Sequence, residues 1–334
     1  MTRIHFAGEN LSETKNRLAI ALGLTGDDSQ FPETAAHAKK RGWSASSLEE
    51  ADLVVYGLRH RPGPECEEVS KKARARDLPC IFFRPNDDPA EVDLSWGWIY
   101  RTSIYRSRMR PCERAMPAFV GDLSEEVGGM ETVGRGDLPA IGFCGFVGSR
   151  WNRVLYKLTG RREKVHGLAL RDRTLRLLRR SSQVEPRFIE RTRFNASEVK
   201  DADPRKEFLT NLSESPYALS LRGMGNYSFR FYEILSIGRI PVFVDTDCAL
   251  PFADRIDWKR HCVWVDESDL DRVGEILAQF HADRSDDDLR ELQVGNRQLW
   301  LDWLCPESFY DHMITDALSA SRDQLGRGLE HGSS

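Results

Sequence analysis

Residues 215–252 read SPYALSLRGMGNYSFRFYEILSIGRIPVFVDTDCALPF, and the order of parts in this stretch decides the fold. Residues 217–221 are short and apolar, bounded by Pro216 and by Arg222-Gly223, which is the pattern of a buried strand. Gly223 and Gly225 follow at once, and glycines there let the backbone take positive φ and approach a ligand closely. A helix begins near Tyr227, with Asn226 or Ser228 as its cap. Gly238 ends that helix, and residues 240–244 form the next parallel strand.

The same stretch carries chemistry suited to a nucleotide diphosphate. A helix N-terminus after a glycine turn presents free N–H groups and the positive end of a dipole, which favours a phosphate. Arg222 and Arg230 add guanidinium forks that match phosphate oxygens. Glu233 lies three residues after Arg230, so the two project near one face, and a carboxylate there accepts two hydrogen bonds from a ribose diol. A plainer reading also fits the pattern. Strand, turn, helix and strand recur in every α/β protein, Arg230 and Glu233 form an ordinary surface ion pair, and Gly238 with Pro241 makes a simple loop.

A resemblance separates the two. Arg222-Gly223, then Ser228-Phe229-Arg230-Phe231-Tyr232-Glu233, then Ile240-Pro241-Val242 and Leu250-Pro251-Phe252 resemble, in order and spacing, the signature of the exostosin-like glycosyltransferases. The likeness continues to Ile256-Asp257-Trp258. In looser form it reaches back to Ile141-Gly142-Phe143-Cys144-Gly145 and takes in Arg191, Arg193 and Phe194. It implies a GT-B architecture, α/β, with two Rossmann-like domains whose parallel sheets face a central cleft. It implies inverting transfer of a sugar from a nucleotide-sugar donor, a UDP-sugar foremost, to a glycan or lipid-linked glycan, with no metal required. On this resemblance Glu233 binds the donor ribose and Arg230 faces the diphosphate. Arg222, Gly223, Gly225, Asn226, Ser228, Arg191 and Arg193 lie around it. The turn Met224-Gly225-Asn226-Tyr227 and the pair Gly238-Arg239 depart from the family pattern, which bears on the donor sugar.

The rest of the chain agrees with a two-domain enzyme. Its 334 residues suit about two domains of roughly 150 residues each. A net charge of −4 gives no overall pull toward nucleic acid. In the N-terminal half, residues 3–7, 51–56, 79–83 and 99–101 read as strands, and 32–41 and 65–76 as helices, an alternation that argues for a parallel sheet. Residues 121–137 (GDLSEEVGGMETVGRGD) read as the interdomain linker. This places an acceptor-side domain at 1–130 and a nucleotide-sugar domain at 138–322, with terminal helices crossing back to the first. Beyond Phe252 a strand is expected at 262–265, a helix at 270–280 and a Trp-rich helix at 297–304. Seven cysteines without a C-x-x-C pair read as reduced, buried small hydrophobes.

Inverting transfer also needs a base for the acceptor hydroxyl. In an open α/β sheet it belongs at a strand's carboxyl end. Glu9, His60, Asp87 and Asp88 occupy such places, and Gly8-Glu9-Asn10 is similar to the Gly-Glu-Asn of related fucosyltransferases, whose Glu is the base. Asp245-Thr246-Asp247 follows a buried strand and reads as turn chemistry rather than a metal motif.

Residues 150–180 are rich in arginine, including Arg161, Arg162, Arg171, Arg173, Arg176, Arg179 and Arg180. They read as a solvated face, or as a contact with an anionic acceptor or a membrane surface. No aromatic-interleaved basic platform accompanies them, so no nucleic-acid partner is expected. The N-terminal MTRIHFAGENLSETK has no apolar signal core, and the longest apolar runs are far short of the ~20 residues that span a bilayer. The expected place is the cytoplasm, with peripheral contact at the inner membrane, and the expected product a bacterial surface polysaccharide or glycoconjugate. A fucosyltransferase-like enzyme of the same fold and a non-catalytic nucleotide- or glycan-binding relative are the other readings.

Overall fold

The structure is a computed structural model that describes residues 1–8, 32–58, 63–88, 94, 96–148, 158, 162–191, 203–320 and 324–325. The chain divides into two compact units: Met1–Pro117 with Ala249–Pro251 and Pro306–Ser334, and Ala118–Cys248 with Phe252–Cys305.

The first unit holds strands β1 (Thr2–Gly8), β2 (Trp43–Ala45), β3 (Leu53–Gly57), β4 (Cys80–Arg84), β5 (Trp98–Arg101) and β6 (Glu113–Ala115), with helices α1 (Pro32–Arg41) and α2 (Pro64–Ala75). All six strands are parallel, in the order β2-β1-β3-β4-β5-β6. Leu-Val-Val-Tyr-Gly of β3 and Cys-Ile-Phe-Phe-Arg of β4 are buried throughout, as a sheet covered on both faces requires. Neighbours β2 and β3 flank β1, so the direction of winding changes there. At that point β1 and β3 end side by side, Gly8 opposite Gly57, and a Cβ on Gly8 would lie 2.5 Å from the Gly57 carbonyl oxygen. The helix Pro306–Ser319 also belongs to this unit. Its Phe309 and Tyr310 rings meet Tyr100 at 5.7 Å and Phe83 at 6.2 Å, and Asp311 pairs with His37 at 3.0 Å.

The second unit runs α3 (Leu123–Glu126), β7 (Ala140–Phe146), α4 (Arg162–Arg180), β8 (Glu185–Arg191), α5 (Pro204–Ser213), β9 (Tyr217–Ser220), α6 (Phe229–Ser236), β10 (Ile240–Asp245), β11 (Val263–Asp266), α7 (Val273–Ala282) and α8 (Asp286–Leu299). Its five strands are again all parallel, in the order β11-β10-β9-β7-β8. Ile141, Leu219, Val242 and Val263 from four of these strands join Leu175, Leu178 and Leu277 from α4 and α7 in one core. From β7 the chain goes to β8 on one side and then crosses to β9 on the other. The switch therefore lies between β7 and β9, where open α/β sheets hold their ligands. The two strands pair only at Ile141–Tyr217 and Gly142–Ala218, whereas β7 stays paired with β8 as far as Phe146 and Arg191.

The first compact unit ends its main segment at Pro117, where the sequence reading set the domain limit at 130. Residues 121–137 are part of the second unit rather than a free linker. Buried Leu123 packs with Phe208 and Ile234, Asp122 pairs with Arg297 at 2.5 Å, and the Val133 N–H donates to Gln293 Oε1 at 2.8 Å. The expected helix at 270–280 opens as a 3-10 turn, Glu267–Arg272, before α7. The Trp-rich segment is the tail of α8 followed by a wide π-type turn, Trp300–Leu304.

Candidate functional site

The loop from β9 to α6 is built by a tight turn and one buried asparagine. The Gly223 N–H donates to the Tyr227 carbonyl at 2.9 Å, and neither Gly223 nor Gly225 uses positive φ. A Cβ on Gly223 would meet only the Tyr227 carbonyl oxygen, at 3.8 Å, and the close approach is at Gly167 instead. A Cβ on Gly167 of α4 would stand 2.3 Å from the Gly223 carbonyl oxygen, so the helix backbone rests directly on the turn. Asn226 is fully buried and does not cap α6. Its Nδ2 donates to the Asp247 carbonyl at 3.2 Å and its Oδ1 accepts from Thr246 Oγ1 at 2.6 Å. Asp245 accepts from the Cys248 N–H at 3.0 Å, so the Asp-Thr-Asp stretch is a turn stitched to the loop. Ser228 stands at the N-cap with no side-chain bond to the helix, and the first N–H groups of α6 have no acceptor within it.

Arg230 and Glu233 come together one turn into α6. The Arg230 Nε lies 3.2 Å from Glu233 Oε2, and its Nη2 donates to the Cys144 carbonyl at 2.9 Å. The guanidinium carbon sits 4.0 Å from the centre of the Phe208 ring of α5. Burial pulls the Arg230 pKa below the usual arginine range, against the pull of Glu233. Arg230 thus bridges α6 to the carboxyl end of β7, at the switch between β7 and β9.

Arg222 lies two residues beyond β9 with its side chain buried. One of its Nη atoms lies 3.5 Å from His166 Nδ1, and His166 Nε2 lies 2.5 Å from Glu267 Oε1. Arg171, also on α4, donates to the Phe146 carbonyl and, at 3.3 Å, to the Arg222 carbonyl. Burial first, and the nearby Arg230 charge second, bring the Arg171 pKa down to about 10. Three arginines, from α4, the β9–α6 loop and α6, therefore collect at one sheet end.

His166 and Gly167 escaped the sequence reading, and Arg171 entered it only within a segment read as a solvated face or as a contact with an anionic acceptor or a membrane surface. Its exposed arginines are largely neutralised: Arg173 pairs with Asp271 at 2.7 Å, Arg176 with Asp172 at 3.0 Å and Arg179 with Glu190 at 2.7 Å. A helical glycine between His166 and Arg171 was the available signal, since a glycine inside a helix marks a close approach. Arg191 has a different place from the cluster. It holds β8 to α5 through Glu207 Oε2 at 2.8 Å and the Pro204 carbonyl at 3.1 Å. Arg193 lies outside the described residues.

The base candidates divide in the first unit. Asp88 is paired with buried Arg84 at 2.6 Å. Asp87, half-buried three residues beyond β4, makes no ion pair among the described residues. Glu9 and His60 lie outside the described residues. Among the described residues no three His, Cys, Asp or Glu side chains gather in a way that would hold a metal ion, and no helix is long and apolar enough to cross a membrane.

Residues 162–280 match the Exostosin GT47 domain, which takes in His166, Arg171, Arg222, Arg230, Glu233 and Glu267. The likeness to exostosins is thus carried by residues 162–280. Exostosin-1 of Drosophila melanogaster is 40% identical over 80 residues, which are 24% of this chain and 10% of that protein. A rice (Oryza sativa subsp. japonica) protein named a probable glucuronosyltransferase is 36% identical over 76 residues, 23% of this chain and 18% of that protein. The chain thus matches only a tenth to a fifth of the length of these relatives. Among solved structures, a UDP-glucosyltransferase from Polygonum tinctorium aligns over 96% of this chain and 99% of its own, at 8% identity and a TM-score of 0.37.

Proposed function

We propose that this chain is an inverting glycosyltransferase that binds the nucleotide of a sugar donor at the β7–β9 switch. The observation that carries the reading is the Arg230–Glu233 pair, held at 3.2 Å beside the first turn of α6. Arg230 and Arg222 stand where a diphosphate meets helix N–H groups, and Glu233 is placed for a ribose diol. Positive charge fixed at the leaving diphosphate stabilises the charge that develops as the sugar departs. Inverting transfer also calls for a carboxylate or imidazole to take the proton of the acceptor hydroxyl as it attacks the anomeric carbon. Asp87 fits that role among the described residues, and Glu9 and His60 are the other candidates.

UDP is the first nucleotide to try, because a glucuronosyl donor of the kind named for the rice relative is a UDP-sugar. The acceptor side of the reading is a glycan or glycoconjugate of a bacterial surface polysaccharide. The enzyme would then be cytoplasmic, which cell fractionation checks. Calorimetry with UDP, GDP and CMP tests the donor site. Saturable binding of one nucleotide, lost in Glu233→Ala and Arg230→Ala, supports it. A folded wild-type protein that binds none of the three overturns it.

A further inference from the structure

We infer that Arg171 of α4 is a third guanidinium of the diphosphate site, beside Arg222 and Arg230, so that α4 grips the anion together with the β9–α6 segment. This rests on the nucleotide reading above and adds a residue from outside the Arg222-to-Glu233 stretch.

The argument begins with charge. Arg173, Arg176 and Arg179 on the same helix each have a carboxylate partner. Arg171 has none among the described residues. Its Nη atoms donate to two main-chain carbonyls, those of Phe146 and Arg222, and its Nε is buried with no acceptor. Main-chain carbonyls do not cancel a full charge, and buried charges persist where something pairs with them. The nearest strong influence on Arg171 is another cation, Arg230, which together with burial makes its charge harder to keep. An anion placed here relieves both.

Geometry says where that anion lies. Arg230 reaches the Cys144 carbonyl and Arg171 the Phe146 carbonyl of one strand, with Gly145 between them. Carbonyls two residues apart along a strand are separated by about 7 Å. The two guanidiniums therefore hang from neighbouring points on the carboxyl end of β7, and a Cβ on Gly145 would come within 3.9 Å of an Arg230 Nη atom. Glu233 pairs with Arg230 and leaves Arg171 unbalanced. Two cations hung from neighbouring points of one strand end suit a ligand that carries linked negative groups, as a diphosphate does. The close approach of Gly167 to Gly223 keeps α4 in register with the turn, so Arg171 is held in place before the ligand arrives.

The test compares UDP, UMP and uridine by calorimetry on the full chain, wild type and Arg171→Lys. The expected result is a loss of about tenfold to a hundredfold for UDP in the variant, with UMP and uridine within about threefold of wild type. A purely bracing role would weaken all three together, and that outcome overturns the inference, as does unchanged UDP binding. If the wild type binds UDP and Glu233→Ala does not, the nucleotide reading stands whatever Arg171→Lys shows. If the variant fails to fold, a structure of the wild-type protein with UDP decides. An Arg171 nitrogen within about 3 Å of a phosphate oxygen supports the inference, and phosphates held without Arg171 overturn it.

Discussion

Gly167 of α4 and Gly223 of the β9–α6 turn meet backbone to backbone, with 2.3 Å between the place of a Gly167 Cβ and the Gly223 carbonyl oxygen. Inside a helix, Gly→Ala ordinarily stabilises by about 1 kcal/mol. Here the new methyl group has only main chain to push against. Gly167→Ala is expected to destabilise by about 1–3 kcal/mol, as overpacking does, and to weaken nucleotide binding by shifting Arg222. Urea unfolding and calorimetry on one preparation check both effects. An alanine variant as stable as wild type would show that the turn yields freely.

Asn226 ties the β9–α6 loop to the turn after β10. Asn226→Leu keeps the volume but strands Thr246 Oγ1 and the Asp247 carbonyl, which now rest on the asparagine at 2.6 and 3.2 Å. A loss of about 1–3 kcal/mol is expected for these unmet buried groups. Urea unfolding reads it directly.

The Arg101–Glu113 ion pair in the first unit is buried on both sides, with the carboxylate also accepting from the Arg110 N–H at 3.0 Å. Glu113→Gln leaves the Arg101 charge without its counterion, and a loss of about 3–5 kcal/mol is expected. Replacing both residues by apolar ones of similar size should recover most of that loss. A double variant no more stable than Glu113→Gln would contradict the account.

His281 predicts an acid-side loss of stability. It is buried, Tyr217 Oη lies 3.0 Å from its Nδ1, and its Nε2 lies 3.0 Å from the Gly136 carbonyl. Burial, with help from Arg135, lowers its pKa from the ordinary 6.5, against the Gly136 hydrogen bond. The unfolded chain therefore binds the proton first as pH falls. The stability contribution is complete above about pH 6.5 and is lost as pH drops through the lower folded value. Urea unfolding between pH 5 and 8 should show this slope, and His281→Gln should flatten it. Equal slopes in the two proteins would assign the acid sensitivity elsewhere.

Much of this was legible in the chain itself. Runs such as 53–57, 80–84 and 240–245 are apolar enough to be buried on both faces, and that alone calls for parallel sheets under helices. Arg230 and Glu233 share a helix, so their 3.2 Å meeting follows from a spacing of three. The edge strand β8, Glu185–Arg191, was not legible, because four charged residues out of seven hide a strand that is held by β7. Nor was α8, whose Ser285–Asp288 capping box opens a largely polar helix.

The sequence by itself determined the α/β class, the strand–turn–helix–strand unit and the Arg230–Glu233 pair of α6, since these depend on neighbours within a few positions. The tertiary structure decided what lies 20 or more positions away: that Asn226 serves the turn at 246–248, across separations of 20 to 22, that His166 and Arg171 meet Arg222, with sequence separations of 56 and 51, and that residues 121–137 belong to the second unit. A charged side chain looks the same in sequence whether it faces water or a strand end. Only the packing of α4 on the sheet shows that Arg171 points inward while its neighbours along the helix find carboxylates at the surface.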